Sequence, residues 1–290
     1  MPSLKDVQRK ISGVKKTSQI TKAMNMVASA KLRGAQERMQ AFRPYKAKFN
    51  EAMASVAGHL AGGGFPLMEV RPAQTVEIIV ITADRGLCGS FNANIIARAE
   101  SEAKALEAEG KKVRFVGVGK KGARYFKRTG KLRQAYEDIM GTFQMFNARE
   151  IAQDSARAFL DGEIDECRLV YGQFVSVVTQ KPTVERLLPI AGVEEGDGEE
   201  TGPAGDFIYE PGPEEIMDVL LPLYLNVMVY HAMLEVSASE HAARMTAMDN
   251  ATNACKDMIH DLTLLYNKAR QAGITAELMD IVGGAEALKG

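Results

Sequence analysis

The sequence lacks features that mark several large classes of proteins. It has no Trp and three Cys, namely Cys88, Cys167 and Cys255, which are far apart with no paired spacing. This cysteine usage favours a reducing compartment and argues against a cysteine-based metal site. We see no apolar run near the roughly 20 residues that a membrane-spanning helix needs, and the first residues do not have the composition of a signal peptide.

An excess of charge of one sign is also lacking, because 36 Lys and Arg balance 37 Asp and Glu. The total therefore gives no argument for a nucleic-acid partner. The distribution is less even: residues 1–50 are rich in Lys and Arg, and residues 194–206 are acidic. A basic helix usually has a solvated face, and the more specific interpretation is docking onto acidic protein surfaces.

Helix-breaking residues are missing from most of the C-terminal region. No Gly occurs between Pro213 and Gly273, and no Pro follows Pro222. From Leu234 to Ala269 the seam positions, which are mostly apolar, recur in alternating steps of four and three, which is typical of a helix that lies along another helix. The pattern predicts a helix over residues 213–284, roughly 100 Å long. A helix of that length has to be covered in part by partners.

The N-terminal region has the same spacing and is the predicted partner helix, over residues 1–62. Ser3 is placed to cap it, Pro44 predicts a kink or a local break, and glycines 62–64 should end it. Three polar residues interrupt the seam beside a second apolar line, so the seam either rotates there or meets something other than the C-terminal helix. The polar residues are Ser18, Thr21 and Asn25, and the second line is Ile20, Met24 and Val27.

The middle of the chain, residues 70–210, alternates short apolar β-branched runs with helical stretches. This alternation predicts an α/β domain with a mostly parallel sheet. Strands are expected at 76–84, 113–118, 168–174, 182–189 (near an edge, because of its prolines) and, as a short one, 207–210. Helices are expected at 92–109, 120–128 and 148–160. The Gly-rich acidic segment 193–206 is expected to be a surface loop.

The predicted fold class is therefore α/β: a long antiparallel coiled coil of N- and C-terminal helices, with an inserted Rossmann-like α/β domain. The alternative is that the two long helices belong to the core of a helical bundle. Seams that continue for this many residues exceed ordinary globular helices and favour the coiled coil.

One glycine pattern raises the possibility of a nucleotide site. Gly117, Gly119 and Gly122 form a G-x-G-x-x-G between a predicted strand and a predicted helix, as in a dinucleotide-binding turn. The pattern follows the second strand rather than the first, and residues 136–138 follow no clear third strand. The alternative function is thus a nucleotide-dependent α/β enzyme with helical arms for oligomerisation.

A second candidate for chemistry is the turn 84–89, DRGLCG, at the end of the first strand. Cys88 could act as a nucleophile at a helix N-terminus. However, the four His lie in the long helices or at their ends, so the local sequence does not support a Cys-His pair. A tight turn with a small buried thiol is the simpler interpretation.

Three blocks make the chain similar to the gamma subunit of F-type ATP synthases, and in particular to bacterial ones. They are ITKAMNMVASAKLR (20–33), ITADRGLCGSFN (81–92) and SEHAARMTAMDNAT (239–252), the last continued by LLYNKARQAGITAELMDIVGG (264–284). With the α/β segment between them, the resemblance spans the whole chain. The acidic loop and Gly273 depart from the family pattern, and Gly273 could soften the last helical turns.

The resemblance implies a central rotating shaft that performs no bond chemistry and needs no cofactor. The shaft would couple proton flow to ATP synthesis or hydrolysis in a hexamer of alpha and beta subunits, because each of its angles favours one state of each catalytic site. It would also bind the epsilon subunit and the ring of c subunits, at the cytoplasmic face of the bacterial plasma membrane, with no nucleic acid involved.

The resemblance also assigns partner contacts to particular residues. Lys22, Met24 and Lys31 would face an acidic segment of the catalytic subunit. Tyr209 and Glu210 would lie at the foot, near the c ring. The inner loops of the hexamer would meet four residues of the C-terminal helix, with Arg244 supporting them nearby; the four are Arg270, Gln271, Thr275 and Glu277.

Overall fold

A computed structural model describes residues 3–58, 64–190 and 212–287. The chain divides into two compact units; unit 1 is built from two stretches of the sequence and unit 2 from one. Unit 1 consists of Met1–Ala28 and Met245–Gly290, and unit 2 of Ser29–Arg244. Two long helices, α1 (Leu4–Gly58) and α5 (Pro213–Ala287), supply residues to both units.

Unit 2 contains a five-stranded sheet in the order β3-β2-β1-β4-β5. The strands β1, β2, β3 and β4 are parallel to one another, and β5 runs antiparallel to β4 at one edge. The central strand β1 is buried from Val76 to Ile81, because helices cover both faces of a parallel sheet. The bounds are β1 Thr75–Ile81, β2 Lys112–Val118, β3 Leu132–Tyr136, β4 Glu166–Phe174 and β5 Gln180–Leu188.

Three shorter helices alternate with the strands of unit 2, as the sequence predicts. They are α2 (Phe91–Ala108), α3 (Lys120–Arg128) and α4 (Met145–Leu160), and a short 3-10 helix covers Pro66–Met68. Small side chains let α2 lie close to the sheet: Ala99 and Ala103 are buried on the same face as Ile95 and Leu106. These helices and strands confirm the expected α/β fold with a mostly parallel sheet.

The part of α5 that lies in unit 2 is a core element of that unit. Met217, Leu221 and Leu225 are buried, and so are nearly all residues from 225 to 242. The unit 2 part of α1 runs antiparallel to it, since Phe42 packs on Tyr230 and Phe49 stacks on Tyr224. The predicted antiparallel pairing of the terminal helices is therefore present within unit 2.

Two local expectations differ from the structure. Residues 132–136 form strand β3, which the sequence did not reveal because this edge strand is partly exposed and carries Arg133 and Gln134. The helix α1 continues through Pro44, so of the two alternatives expected there, a kink or a local break, the local break is wrong. As expected, α5 continues through Gly273, and it ends at Ala287 rather than at 284.

Some expectations fall on residues that the structure does not describe. These are the short strand 207–210, the acidic loop 193–206, and the glycines at 62 and 63. One described helix, α5, is long and apolar enough to resemble a membrane span, a test that the core helix of a soluble protein also passes. Its most apolar stretch is 67% buried inside the fold, which is the behaviour of a core helix.

Candidate functional site

The helix pair of unit 1 is held together by a mixed seam of apolar and polar contacts. Val7 and Ala28 of α1 and Met248 of α5 are buried in it. The polar patch was expected to mark either a rotated seam or a contact with something other than the C-terminal helix, but its residues Thr21 and Asn25 bond to α5. Thr21 Oγ1 lies 2.7 Å from Thr252 Oγ1, and Asn25 Nδ2 donates to the main-chain oxygen of Met245 at 2.9 Å.

The second apolar line does not replace the seam. Ile20 is 60% exposed and Val27 is 57% exposed, while Met24 is half-buried. Lys22, which the resemblance places against an acidic partner, is exposed on the same helix. The described part of α1 in unit 1 thus presents apolar side chains and a lysine away from α5.

Lys31 belongs to unit 2, where its side chain is exposed on α1. Leu32 and Ala35, which lie about 100° and 40° from Lys31 around the helix, are buried. The exposed Lys31 side chain therefore lies at the edge of the buried face of α1, where it is accessible to a partner.

The C-terminal part of α5 carries the predicted hexamer contacts. Arg270, Gln271, Thr275 and Glu277 are all exposed. Thr275 Oγ1 bonds back to the Gln271 main-chain oxygen at 3.0 Å, a bond within the helix. This stretch also exposes five large apolar side chains, namely Ile274, Leu278, Met279, Ile281 and Val282.

These apolar residues share one broad face of α5. At about 100° per residue, Gln271 and Thr275 lie on that face, while Arg270 and Glu277 lie along its edge. An apolar stripe of this width normally packs against a protein surface. The four predicted contact residues are therefore arranged on or beside this exposed apolar face of α5.

Arg244 has a different setting from the other predicted contacts. Its side chain is 12% exposed, forms an ion pair with Glu240, and donates from Nη2 to the Gly86 oxygen at 3.1 Å. Its guanidinium group thus bonds inside unit 2. Tyr209 and Glu210 lie outside the described residues, so their contact with the c ring at the foot stays a prediction.

The glycine turn that suggested a nucleotide site is occupied by groups of the chain itself. The main-chain N–H of Lys120, at the start of α3, donates to Asp84 Oδ1 at 2.9 Å. The N–H of Gly122 donates to Thr82 Oγ1 at 2.8 Å. These are the donors that would otherwise bind a phosphate at a helix N-terminus.

The glycines are needed here for close packing rather than for a ligand. Gly119 has φ +87°, and a Cβ added to it would lie 2.1 Å from the main-chain oxygen of Thr82. Asp84 also accepts main-chain N–H groups from Asp138 and Met140, at 3.0 and 2.9 Å. The Asp84 carboxylate therefore ties together the ends of three strands, which argues against the dinucleotide hypothesis.

Cys88 is held in a setting that suppresses its reactivity. Its side chain is buried, and burial followed by the nearby Glu240 carboxylate raises the pKa of its thiol. A raised pKa keeps the sulfur protonated and therefore a poor nucleophile. The simpler interpretation of this turn, a small buried thiol, is the one that the geometry supports.

Comparison with known proteins gives the family. A profile of the family described as ATP synthase matches residues 3–288. The ATP synthase gamma chain of Desulfotalea psychrophila is 60% identical over 291 residues, which is 100% of both chains. That of Nitratidesulfovibrio vulgaris is 54% identical over 292 residues, again 100% of both.

Solved structures agree with this assignment. A chain of the Tetrahymena thermophila mitochondrial ATP synthase central stalk and c-ring superimposes with a TM-score of 0.60 at 26% identity, covering 80% of this chain and 99% of that one. A chain of the Euglena gracilis mitochondrial enzyme shares the fold with a TM-score of 0.69 at 22% identity, covering 98% and 94%. The chain therefore belongs to the ATP synthase gamma-chain family.

Proposed function

We propose that this chain is the rotating shaft of a bacterial ATP synthase, and that it transmits torque without catalysing a reaction itself. The observation that carries the proposal is the end of α5, which stays helical to Ala287 while exposing a broad apolar face. Apolar surface of this extent is stable in water when a partner covers it. A catalytic hexamer that encloses the helix would provide that cover.

The surface chemistry of the helices supports the same partner. The α1 stretch of unit 1 is basic, with exposed Lys10, Lys15 and Lys22. Basic residues steer a helix towards acidic partner surfaces and add specificity more than affinity. We therefore assign Lys22, Met24 and, in unit 2, Lys31 to contact with an acidic segment of the beta subunit.

A non-catalytic role agrees with the geometry of the α/β domain. The donors at the start of α3 are bonded to Asp84 and Thr82, and the Cys88 thiol is buried and protonated.

The cytoplasmic face of the bacterial membrane is the proposed location, with attachment through the foot of the complex. Cell fractionation tests this location. The chain should sediment with the membranes in low salt, and a treatment that releases the alpha and beta subunits should release this chain with them.

The direct test of a shaft role is ATP hydrolysis by a tagged chain, measured alone and with whatever co-purifies. We expect activity only in the complex, where two larger nucleotide-binding subunits are each present in about threefold excess. Hydrolysis by the chain alone would overturn the proposal and would direct attention back to the Gly117–Gly122 turn.

The contact surface is tested with a matched pair of variants on α5. Gln271→Ala changes the apolar face, whereas Asp280→Ala changes an exposed residue about 180° away on the same helix. We expect the first variant to lower ATP hydrolysis by the complex several-fold more than the second. Equal effects would mean that this face is not the one that meets the hexamer.

A further inference from the structure

Three polar side chains of α5 bond to main-chain groups at one end of the sheet in unit 2. Glu235 Oε2 accepts the N–H of Phe174 at 2.8 Å. Ser239 Oγ donates to the oxygen of Gly172 at 3.0 Å. Arg244, further along, donates to Gly86. All three partners lie at or beyond the carboxyl ends of parallel strands, so one side of α5 is bonded to the backbone of the α/β part.

Glu235 also connects these α5–sheet contacts to α1. Its carboxylate is 1% exposed, and its other oxygen, Oε1, lies 3.2 Å from Arg43 Nη2 and 3.4 Å from His231 Nε2. Lys46 Nζ of α1 lies 3.4 Å from the second ring nitrogen of His231. One buried carboxylate therefore links α5, α1 and β4 within unit 2.

The strand that receives these bonds cannot easily shift to follow the helix. Gly172 packs so closely under α2 that an added Cβ would lie 2.6 Å from the Phe91 ring. Phe91 is itself buried in the core. The main chain of β4 is therefore a fixed reference against which α5 is held.

Hydrogen bonds restrain the rotation of a helix more sharply than hydrophobic burial does. The surrounding side chains of α5, such as Leu234, Val236 and Ala238, are buried, and their attraction depends on buried area and not on direction. Hydrogen bonds weaken steeply when distance or angle changes. The bonds of Glu235 and Ser239 thus oppose rotation and sliding of α5 in a way that the apolar contacts do not.

We propose that Glu235 and Ser239 are positioning residues that lock the rotational position of α5 on the sheet and so carry torque between the α/β part and the helix. The inference rests on the shaft function proposed above, which it makes more specific. Because the bonds go to main-chain atoms, the lock works through the helix side chains and needs no particular side chain on β4.

The test uses the complete membrane-bound complex with wild-type or variant chain. Ser239→Ala removes the hydroxyl with little change in volume, Glu235→Ala removes both carboxylate bonds, and Glu235→Gln keeps an oxygen that can accept the Phe174 N–H. Val236→Ala is the control, because Val236 is equally buried one residue away but makes only packing contacts that hydrophobic burial explains. Thermal unfolding of each chain checks that the variants fold.

The readout is the rate of proton-driven ATP synthesis beside the rate of ATP hydrolysis by the detergent-released, unloaded complex. We expect synthesis to fall about tenfold in Glu235→Ala and about fivefold in Ser239→Ala, as for the loss of a charged and a neutral hydrogen bond, with hydrolysis within about twofold. Glu235→Gln should keep most of its synthesis, and Val236→Ala should change both rates together.

Two results would overturn the inference, and they are distinguishable. If Ser239→Ala and Glu235→Ala lowered synthesis and hydrolysis in the same proportion as Val236→Ala, these residues would serve folding alone. If the wild-type chain failed to restore hydrolysis to a complex depleted of it, the shaft function itself would be wrong. A selective loss of synthesis with normal hydrolysis is the result that supports the lock.

Discussion

The hydroxyl oxygen of Thr21 lies 2.7 Å from the hydroxyl oxygen of Thr252, inside the seam between α1 and α5 in unit 1. Each hydroxyl also lies within hydrogen-bond distance of a main-chain oxygen of its own helix, Thr252 at 2.8 Å from Met248 and Thr21 at 3.1 Å from Ser18, so either hydroxyl can be the donor between the helices. Both side chains are buried. A polar pair inside an apolar seam favours one register, because any shift would leave both hydroxyls without this partner.

This pair predicts a measurable coupling between the two threonines. In a double-mutant cycle with Thr21→Val and Thr252→Val, we expect an interaction free energy of about 1 kcal/mol from urea unfolding. Thr263→Val is the control, because the exposed hydroxyl of Thr263 bonds to Ile259 of its own helix. Strictly additive effects of Thr21→Val and Thr252→Val would contradict the register role.

The close packing at Gly119 predicts a large stability cost for any side chain there. Gly119→Ala should lower the free energy of unfolding by about 3 kcal/mol or more, since the new Cβ would overlap the Thr82 oxygen and the positive φ adds strain. Gly130→Ala is the matched control: Gly130 also has a positive φ, of +72°, but no atom within 4 Å of the added Cβ.

For Gly130→Ala we expect about 1 kcal/mol, the cost of the backbone conformation alone. Gly119→Val should destabilise the chain further, and neither Gly119 variant should act by losing a bound dinucleotide. A dinucleotide that binds the wild-type chain and not the variants in equilibrium dialysis would refute this explanation of the glycine turn.

A network of ion pairs joins Glu77 of β1, Arg133 of β3 and Asp154 of α4. We expect a large loss of stability when one of these side chains is removed. Glu77 is fully buried in β1, and Arg133 Nε lies 2.5 Å from its Oε2, with Asp154 2.7 Å from Arg133 Nη2. Arg133→Met should cost about 3–5 kcal/mol, because it leaves a buried carboxylate without its cation.

The control for this network is an exposed ion pair in the same unit. Arg114 lies 3.7 Å from Glu163, and both side chains are about half exposed. Arg114→Met should therefore change the free energy of unfolding by about 0–1 kcal/mol. Similar losses for the two variants in urea unfolding would show that burial does not set the energy of the Glu77 pair.

Glu235 predicts a pH dependence of stability. Burial by itself would raise the pKa of this carboxyl, but hydrogen bonds from His231 and the Phe174 N–H, helped by Arg43, outweigh burial and lower it below 4.5. Lys46 and Tyr171 are the other ionisable groups nearby. A pKa lowered by folding contributes stability above pH 4.5 that is lost as the pH falls through the folded-state pKa.

We therefore expect Glu235→Gln to reduce the loss of stability below pH 4.5, as measured by thermal unfolding across an acid pH series. Glu37→Gln is the control, because Glu37 pairs with Arg33 on the exposed surface of α1. If the two variants and the wild-type chain lost stability along parallel curves, Glu235 would not be a source of acid sensitivity.

Much of the fold is predictable from the sequence because regular patterns carry it. The spacing of apolar residues in α1 and α5, and the β-branched runs of β1 and β2, each follow one periodicity. The strand β3 was missed because it is an edge strand with Arg133 and Gln134 in its middle. Arg133 is there to neutralise Glu77, a long-range requirement that no local pattern reveals.

The candidate site is predictable in part for the same reason. The exposed positions of Lys22 and Gln271 follow from the helical period once the buried face is known. For the polar patch at Thr21 and Asn25, the sequence suggested a rotated seam or a different partner, because periodicity does not show that polar groups pair across helices. The contacts of Glu235 and Ser239 with β4 could not be predicted from the sequence. Their partners are main-chain atoms, which any residue type would supply.

The measurement that tests the shaft function most directly is rotation of the α/β part in a single complex fixed by its beta subunits. A probe can be attached through Ser101→Cys in a Cys255→Ser background, since Ser101 is exposed on α2, Cys88 and Cys167 are buried, and Cys255 is only partly buried. We predict ATP-dependent rotation in one direction, with three main dwells per turn for three catalytic sites. Sustained ATP hydrolysis with a stationary probe would contradict the account.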